Sequence, residues 1–230
     1  MCGRFTLTSP VSRLVEFFAL LEPDVHLEPR YNIAPAQSVA CIRRIDGFRN
    51  LSLMRWGLLP FFARHINEGA RMINARSESV ATKPAFRRAF ESQRCIVPAD
   101  GFFEWKKQGS DKQPFLIRLR SAEPFAFAGL WDRWTNPEDD GVIESFTILT
   151  TTPNALMEPV HDRMPVILPE ETIDAWLSDS ASADDLQDLL RPFDPTRMEA
   201  FPVARSVGNV RNDTPDCLAP IDSKTQQELF

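Results

Sequence analysis

Apolar and polar residues alternate along the chain in patterns that predict helices at both ends of a strand-rich middle. In residues 10–21 the apolar positions recur every three or four residues, which is the spacing of an amphipathic helix. Residues 84–91 are predicted to form a short helix entered through a proline in its first turn. Residues 170–177 and 183–190 are predicted helices whose early acidic residues suit the helix dipole.

Short runs of β-branched and aromatic residues dominate the middle of the chain, and each run predicts one strand. The predicted strands are 38–45, 51–56, 95–97, 102–105, 115–119, 125–130 and 146–151. The proline-rich segment 28–35 is predicted to be an irregular loop, and 134–141 an exposed hairpin connection. Because strands and helices are interspersed without strict alternation, we predict a single α+β domain over residues 1–230. Its core is expected to be a mostly antiparallel, barrel-like β structure flanked by helices.

The composition predicts a globular protein with a sizeable core, since 43% of the 230 residues are hydrophobic and 17 are Phe. No apolar run reaches about 18 residues, and no basic segment followed by an apolar stretch opens the chain. We therefore expect no membrane span and no secretory signal. The expected location is cytoplasmic, associated with the nucleoid or the replication fork if the protein binds DNA.

The net charge of −6 argues against a general nucleic-acid binder, but the charge is unevenly distributed. Residues 1–120 contain 19 Lys and Arg against 11 Asp and Glu, whereas residues 121–230 contain 7 against 21. Most basic residues of the first part are arginines, which suit bidentate phosphate contacts. Either the first part builds a basic face, or the two parts intermix in space and their charges cancel.

The four cysteines and three histidines lack the spacing of a zinc site, and no metal is predicted. A disulfide framework is not expected in a chain of this length without a secretory signal. Cys41 and Cys95 lie in apolar runs and are predicted to be buried thiols. Cys2 is different, because removal of Met1 would leave it with a thiol and a free α-amine on adjacent carbons.

An amino-thiol pair of this kind reacts with aldehydes, the amine giving an imine and the thiol then closing a five-membered thiazolidine. The α-amine, with a reference pKa of about 7.7–8.0, is partly neutral near pH 7, whereas a lysine at about 10.4 is almost fully protonated. The position of Cys2 is also compatible with a small residue at a frayed terminus. A reactive amino-thiol would require acid–base and DNA-binding residues elsewhere in the chain, whereas a frayed terminus would not.

Several polar residues interrupt the apolar pattern and are candidates for chemistry. Asn74 and Arg76 share one face if their segment is extended. Glu104 stands among aromatic residues, where desolvation suits a carboxyl group to acid–base work, although an edge-strand glutamate facing solvent fits the same pattern. His161, followed by an acidic and a basic residue, suits either a proton shuttle or a structural loop. Aromatic residues in 56–62 either stack on bases or belong to the core.

Taken together, these segments closely resemble the SOS response-associated peptidase (SRAP) family, the abasic site processing proteins. The resemblance spans nearly the whole chain in family order. The motifs that carry it are Met1-Cys2-Gly3-Arg4-Phe5, Arg30-Tyr31-Asn32-Ile33-Ala34-Pro35, Trp56-Gly57-Leu58-Leu59-Pro60, Ile73-Asn74-Ala75-Arg76-Ser77-Glu78, Pro98-Ala99-Asp100-Gly101-Phe102-Phe103-Glu104-Trp105-Lys106, His161-Asp162-Arg163-Met164-Pro165 and Ser206-Val207-Gly208-Asn209-Val210-Arg211-Asn212.

The resemblance implies that Cys2, after removal of Met1, captures the ring-opened aldehyde of an abasic site in single-stranded DNA as a stable thiazolidine cross-link. It implies that Asn74 holds the sugar or the attacking group by hydrogen bonds. Glu104 is implied as the acid or base that orients the amine, and His161 as the group assisting proton transfer during ring opening and reversal. No cofactor is implied, because aldehyde and amine supply the reactivity.

The resemblance also implies a local groove for single-stranded DNA in a protein that is acidic overall. Arg4, Arg76 and Arg163 are the candidate contacts to phosphates that flank the lesion. Pro35 and Phe62 are the candidate contacts to bases on either side of it. The expected partner is single-stranded DNA containing abasic sites, and the protein is expected to be a monomer.

Two positions depart from the family pattern, which often has Trp near residues 61–62 and commonly has Tyr in place of Phe103. Two other functions stay open. In a cysteine peptidase or amidohydrolase, Cys2 would attack an acyl carbon with Glu104 or His161 as base. In a non-catalytic single-stranded DNA-binding module, Cys2 would merely pack. The family's name also implies an autoproteolytic route to removal of the initiator methionine.

Overall fold

The computed structural model describes residues 2–221 of the chain. Within that range the strands β1–β13 are Phe5–Leu7, Arg30–Ile33, Ser38–Ile45, Phe48–Trp56, Asn74–Arg76, Arg94–Ala99, Gly101–Gln108, Asp111–Leu119, Phe125–Thr135, Val142–Thr151, Met164–Pro165, Ile167–Leu168 and Met198–Pro202. The helices α1–α4 are Val11–Phe18, Pro84–Ser92, Ile173–Trp176 and Ala183–Asp188. None of the helices described is long and apolar enough to cross a membrane.

Five strands close into a barrel, in which β10, β4, β3, β6 and β9 are neighbours in that order and β9 pairs again with β10. The junction of β10 with β4 is parallel, and the other pairs of the barrel are antiparallel. Beyond the end of β4, the short strand β5 continues along the same edge of β10, with Asn74 opposite Ile148. This arrangement brings Asn74 to one end of the barrel.

A second, five-stranded antiparallel sheet lies against the barrel in the order β13, β8, β7, β1 and β2. Aromatic rings join it to the barrel. Phe5 on β1 meets Trp56 on β4 and Phe127 on β9 edge-on, at centroid distances of 5.1 Å and 5.8 Å. Phe102 on β7 contacts the same Phe127 at 5.9 Å. Burial of each such side chain contributes roughly 1.5–3 kcal/mol, so β1 is firmly anchored directly after Cys2.

The predicted fold class is confirmed, since the structure is α+β with a closed, mostly antiparallel barrel and a few helices. Every predicted strand is present. The first helix is shorter than the predicted 10–21, because Ala19 adopts a left-handed conformation with φ of 48° that ends it. Of 170–177, only Ile173–Trp176 is α-helical, and a 3-10 turn precedes it. Cys41 and Cys95 are fully buried, as predicted.

The prediction of an irregular loop over 28–35 is wrong, because Arg30–Ile33 forms strand β2. Strand β2 pairs with β1 in antiparallel orientation. The carboxylate of Asp213 accepts the backbone N–H groups of Tyr31 and Asn32 at 2.5 Å and 2.9 Å. These partners come from distant parts of the chain, so local proline content gave no sign of the strand.

Candidate active site

Cys2 lies just before strand β1, and its side chain is completely buried. The anchoring of Phe5 in the aromatic core draws the preceding residues into the protein. The Cys2 thiol makes only a weak contact of 3.8 Å to the backbone oxygen of Arg4. Burial raises the pKa of this thiol far above its usual range, and the nearby Glu104 carboxylate raises it further. The sulfur is therefore held as a neutral thiol at physiological pH.

Asn74 on β5 connects this terminus to the barrel, because its Nδ2 donates a 2.8 Å hydrogen bond to the backbone oxygen of Cys2. The Oδ1 of the same amide is buried and has no hydrogen-bond partner among the described residues. A buried amide oxygen without a partner loses about 1–3 kcal/mol relative to a paired one. Asn74 thus offers a free acceptor beside Cys2.

Glu104 is placed by strand β7, which pairs with β1 through Phe102 opposite Phe5. Its side chain is only 3% exposed, and its Oε2 lies 4.0 Å from Nε2 of His161. Burial raises the pKa of the Glu104 carboxyl, and the neighbouring His161 partly offsets this effect. A buried carboxyl group with a raised pKa holds a proton that an exposed one would have lost, and can pass it to a neighbouring group.

His161 lies in the loop between β10 and β11, and its two ring nitrogens have different partners. Nδ1 lies 3.0 Å from the backbone N–H of Arg163, and Nε2 faces Glu104. The carboxylate of Asp162 lies 2.9 Å from Nδ1 and is 88% exposed. These contacts orient the ring so that Nε2 points toward Glu104.

Arg163 is held by internal partners. Its guanidinium makes a bidentate ion pair with Glu78, at 2.5 Å and 2.9 Å, and donates at 2.6 Å to the backbone oxygen of Thr150. Its side chain is 13% exposed, whereas that of Glu78 is 51% exposed. This pairing lowers the pKa of the Glu78 carboxyl. The Glu78 carboxylate therefore occupies the position that an anionic ligand of Arg163 would take.

Arg4 also has internal partners, and those that accept its hydrogen bonds come from strand β2 and the C-terminal segment 205–213. It donates to Asn32 Oδ1 and to the backbone oxygen of Val207, each at 2.9 Å, and to that of Gly208 at 3.0 Å. The Asn32 amide donates in turn to backbone oxygens of residues 207, 209 and 212. We call this set of contacts the terminal clasp, because it ties the residues beside Cys2 to a segment about 200 positions later.

The remaining candidates from the sequence lie on the surface or near it. Arg76 is exposed and follows Asn74 on the same strand face, as predicted for an extended segment. Pro35 is half-buried, and the Phe62 side chain is 50% exposed. The structure thus brings Cys2, Asn74, Glu104 and His161 together. Within residues 2–221, no cluster of His, Cys, Asp or Glu is arranged to hold a metal ion.

Sequence reasoning missed three residues that shape this site. The sequence predicted no role for Asn32, Glu78 or Asp213, although Asn32 and Glu78 lie inside the motifs that carry the family resemblance. Asn32 stands between an aromatic and an apolar residue, and a polar side chain in such a position indicates a buried hydrogen-bonding role. Asp213 lies outside every motif and gave no signal, because its partners on β2 are known only from the folded structure.

Comparisons with known proteins identify a family and a fold for the chain. Residues 1–210 match the family described as SOS response associated peptidase (SRAP). The chain is 43% identical over 222 residues to abasic site processing protein YoqW of Bacillus subtilis, covering 95% of this chain and 99% of that protein. It is 30% identical over 231 residues to abasic site processing protein YedK of Escherichia coli, covering 96% and 100%. The crystal structure of a Bacteroides thetaiotaomicron protein matches with a TM-score of 0.88 and 28% identity, covering 96% and 100%.

Proposed function

Because the chain belongs to the SOS response associated peptidase (SRAP) family, we propose that it processes abasic sites by capturing them covalently in single-stranded DNA through Cys2. The names of the relatives YoqW and YedK support the substrate class. The observation that carries the covalent route is the convergence of Asn74, Glu104 and His161 on the residue that bears both a thiol and, after loss of Met1, an α-amine.

The proposed chemistry begins with the neutral α-amine of Cys2 adding to the aldehyde carbon of the ring-opened deoxyribose. Loss of water from the adduct gives an imine. The sulfur then adds to the imine carbon, the thiol proton is delivered to the imine nitrogen, and a five-membered thiazolidine closes. One water is released overall, and no oxidant, reductant or metal takes part.

Glu104 and His161 supply the proton transfers. Because burial keeps the Cys2 thiol protonated, a base must take its proton as the carbon–sulfur bond forms. The Glu104 carboxyl, whose pKa is raised, fits this role and can return the proton to the nitrogen. His161 Nε2, 4.0 Å away, relays protons to and from Glu104 during opening of the sugar ring. Reversal of the link follows the same steps backwards.

Asn74 positions the reacting groups. Its Nδ2 fixes the backbone oxygen of Cys2, and its unpartnered Oδ1 can accept a hydrogen bond from the sugar or from the α-amine. The phosphates on either side of the lesion are assigned first to Arg76, which is exposed. Arg163 and Arg4 contact a phosphate only by exchanging an internal partner for it, the Glu78 carboxylate in one case and a carbonyl oxygen of the terminal clasp in the other. Phe62, half-exposed, and Pro35 are assigned to the adjoining bases. The protein is proposed to act as a monomer at DNA lesions.

The test is to mix the processed protein with a single-stranded oligonucleotide carrying one abasic site and to separate the products on a denaturing gel. Wild-type protein should give a shifted band without any reductant. Cys2→Ala, which keeps the α-amine, should give no stable band but should be trapped by borohydride as the reduced imine. Cys41→Ala, which removes a buried thiol elsewhere, should cross-link like wild type.

A second arm addresses the α-amine. Protein with a tag retained ahead of Cys2 should bind the oligonucleotide but form no cross-link. Normal cross-linking by the tagged protein would show that the terminal-amine mechanism is wrong. Binding without any covalent species in untagged wild type would instead indicate a binding module, and peptide turnover without DNA capture would indicate a hydrolase.

A further inference from the structure

A surface cavity of about 540 Å³ lies on the barrel away from Cys2, and no step of the proposed capture uses it. Four arginines and two aromatic residues dominate its lining, together with a glutamine and two carboxylates. We call it the arginine groove. Its lining residues are Arg43, Arg44, Ile45, Phe61, Arg88, Gln93, Trp131, Asp132, Arg133 and Glu144.

We propose that the arginine groove binds a nucleotide of the DNA strand beyond the one that enters the Cys2 site, an inference that rests on the proposed function. The charge supports an anionic ligand, since four guanidinium groups face two carboxylates. Both carboxylates are already paired, Asp132 with Arg88 at 2.5 Å and Glu144 with Arg43 at 2.9 Å. Arg133 shares Glu144 with Arg43, and Arg44 is paired with Asp174 outside the groove. Three carboxylates thus serve the four arginines, and the net positive charge that remains favours phosphate.

The aromatic residues and their arginines suit a base as well as a phosphate. The guanidinium of Arg43 lies 4.4 Å from the ring centroid of Trp131, and that of Arg88 lies 4.4 Å from the centroid of Phe61. Layers of this kind present flat surfaces on which nucleobases stack. The Oε1 of Gln93 is buried without a hydrogen-bond partner among the described residues. As an acceptor it repels phosphate but suits an exocyclic amino group, so the ligand is a nucleotide rather than a free anion.

The position of the groove favours the same strand that reaches Cys2. Phe61 on its rim packs edge-on against Phe62, at a centroid distance of 5.2 Å, and Phe62 is the proposed base contact of the lesion site. Glu144 in the groove and Ile148, which pairs with Asn74, are four positions apart on β10. Four residues of a strand span about 13 Å. That distance corresponds to about four phosphates of a stacked strand at 3.4 Å each, and to fewer when the strand is extended.

Arg44 and Arg133 are the residues to change, because their removal leaves no buried acid unpaired. Glu144, the partner of Arg133, keeps Arg43, and Asp174, the partner of Arg44, keeps Arg49. Arg88 is unsuitable, since its loss would strip an ion-pair partner from the buried Asp132. A matched control is Arg191→Ala, an exposed arginine paired with Asp188 outside the groove.

The experiment measures binding by fluorescence anisotropy with single-stranded oligonucleotides that carry a tetrahydrofuran abasic analogue, which has no aldehyde and cannot cross-link. The flank is lengthened one nucleotide at a time, on the 5′ side or on the 3′ side. For wild type and for the Arg191→Ala control, affinity should rise in a step once one of the two flanks is long enough to reach the groove. In the double variant R44A/R133A the step should disappear, and the salt slope for the long oligonucleotide should fall by about 0.7 for each phosphate that the protein no longer neutralises.

Three results would overturn the proposal: no step in wild type, a step that persists in the double variant, or equal weakening of the shortest and longest oligonucleotides. Flanks of dC and dT provide a further arm, because the amino group of cytosine can pair with Gln93 and thymine has none. Wild type should therefore bind dC flanks more tightly than dT flanks, and this preference should vanish in Gln93→Leu. A preference that persists in Gln93→Leu would show that Gln93 does not contact a base. The double variant should cross-link a short natural abasic oligonucleotide as well as wild type does. Failure of the covalent mechanism would therefore be seen in both proteins and is distinguishable from failure of the groove proposal.

Discussion

Replacement of Asn32 by Ala should cost about 4 kcal/mol of unfolding free energy, because this residue is the centre of the terminal clasp. Its side chain is fully buried, and Oδ1 accepts a charge-assisted hydrogen bond from Arg4. Nδ2 lies 2.7–3.2 Å from three backbone oxygens but has only two hydrogens, so at most two of these bonds are strong at once. Two neutral bonds of about 1 kcal/mol and one to a charged group of about 2 kcal/mol give the total.

The assay is reversible urea unfolding followed by tryptophan fluorescence, with thermal unfolding as a second measurement. At this chain length a loss of 4 kcal/mol corresponds to a Tm lower by about 8–16 °C. Asn50→Ala is the matched control, because the Asn50 amide is exposed and makes only local contacts to Ile45 and Phe48. Its effect should stay within about 0.5 kcal/mol. A loss below about 1.5 kcal/mol for Asn32→Ala would refute the reasoning, since it would mean that water replaces the clasp.

Three further changes have definite expected outcomes. Glu104→Gln should slow cross-linking about 10²–10⁴-fold yet raise stability at neutral pH. The unfolded state loses the Glu104 proton near pH 4.5, while the folded state keeps it to higher pH, so the wild type loses stability as the pH rises through that window. Below that window the wild type and Glu104→Gln should be equally stable. A stability difference that does not depend on pH would contradict this reasoning. Glu78→Gln should tighten single-stranded DNA binding and steepen its salt dependence by freeing Arg163, measured by anisotropy, and unchanged affinity would show that Arg163 does not contact phosphate. Gly57→Ala should destabilise the protein strongly in urea unfolding, because φ is +119° and the added Cβ would lie 2.6 Å from the Gly69 backbone oxygen; a loss under about 1 kcal/mol would contradict that geometry.

The strands and the helix at Pro84 were predictable because their determinants are local: runs of β-branched and aromatic residues, and a proline suited to a helix start. Asn74, Glu104 and His161 could each be picked out as candidates from their own segments, but only a resemblance joined them into one site, since they come from three separate segments and share no spacing. Their meeting depends on pairings such as Phe5 with Phe102 and Ile148 with Asn74, which no periodicity encodes.

The roles of the arginines were the least predictable from the sequence. An arginine next to a candidate nucleophile suggests phosphate binding, yet Arg4 donates its hydrogen bonds to Asn32 and to backbone oxygens of the C-terminal segment. Arg163 is likewise occupied by Glu78. Charge counts along the chain could not distinguish these cases, because the acidic and carbonyl partners lie far away in sequence. The net positive groove was hidden for the same reason, since its lining comes from β3, α2, β9, β10 and the loop before β5.

The terminal clasp has a consequence for protein synthesis. Arg4 reaches its carbonyl partner 203 positions later, so the terminal clasp cannot close until that part of the chain has been translated. Nascent chains fold progressively from the N-terminus, and contacts of such long range form late. The surroundings of Arg4, two positions after Cys2, are therefore completed only when residues 207–212 have emerged from the ribosome. The end of the chain that is made first is thus among the last parts of the fold to be completed.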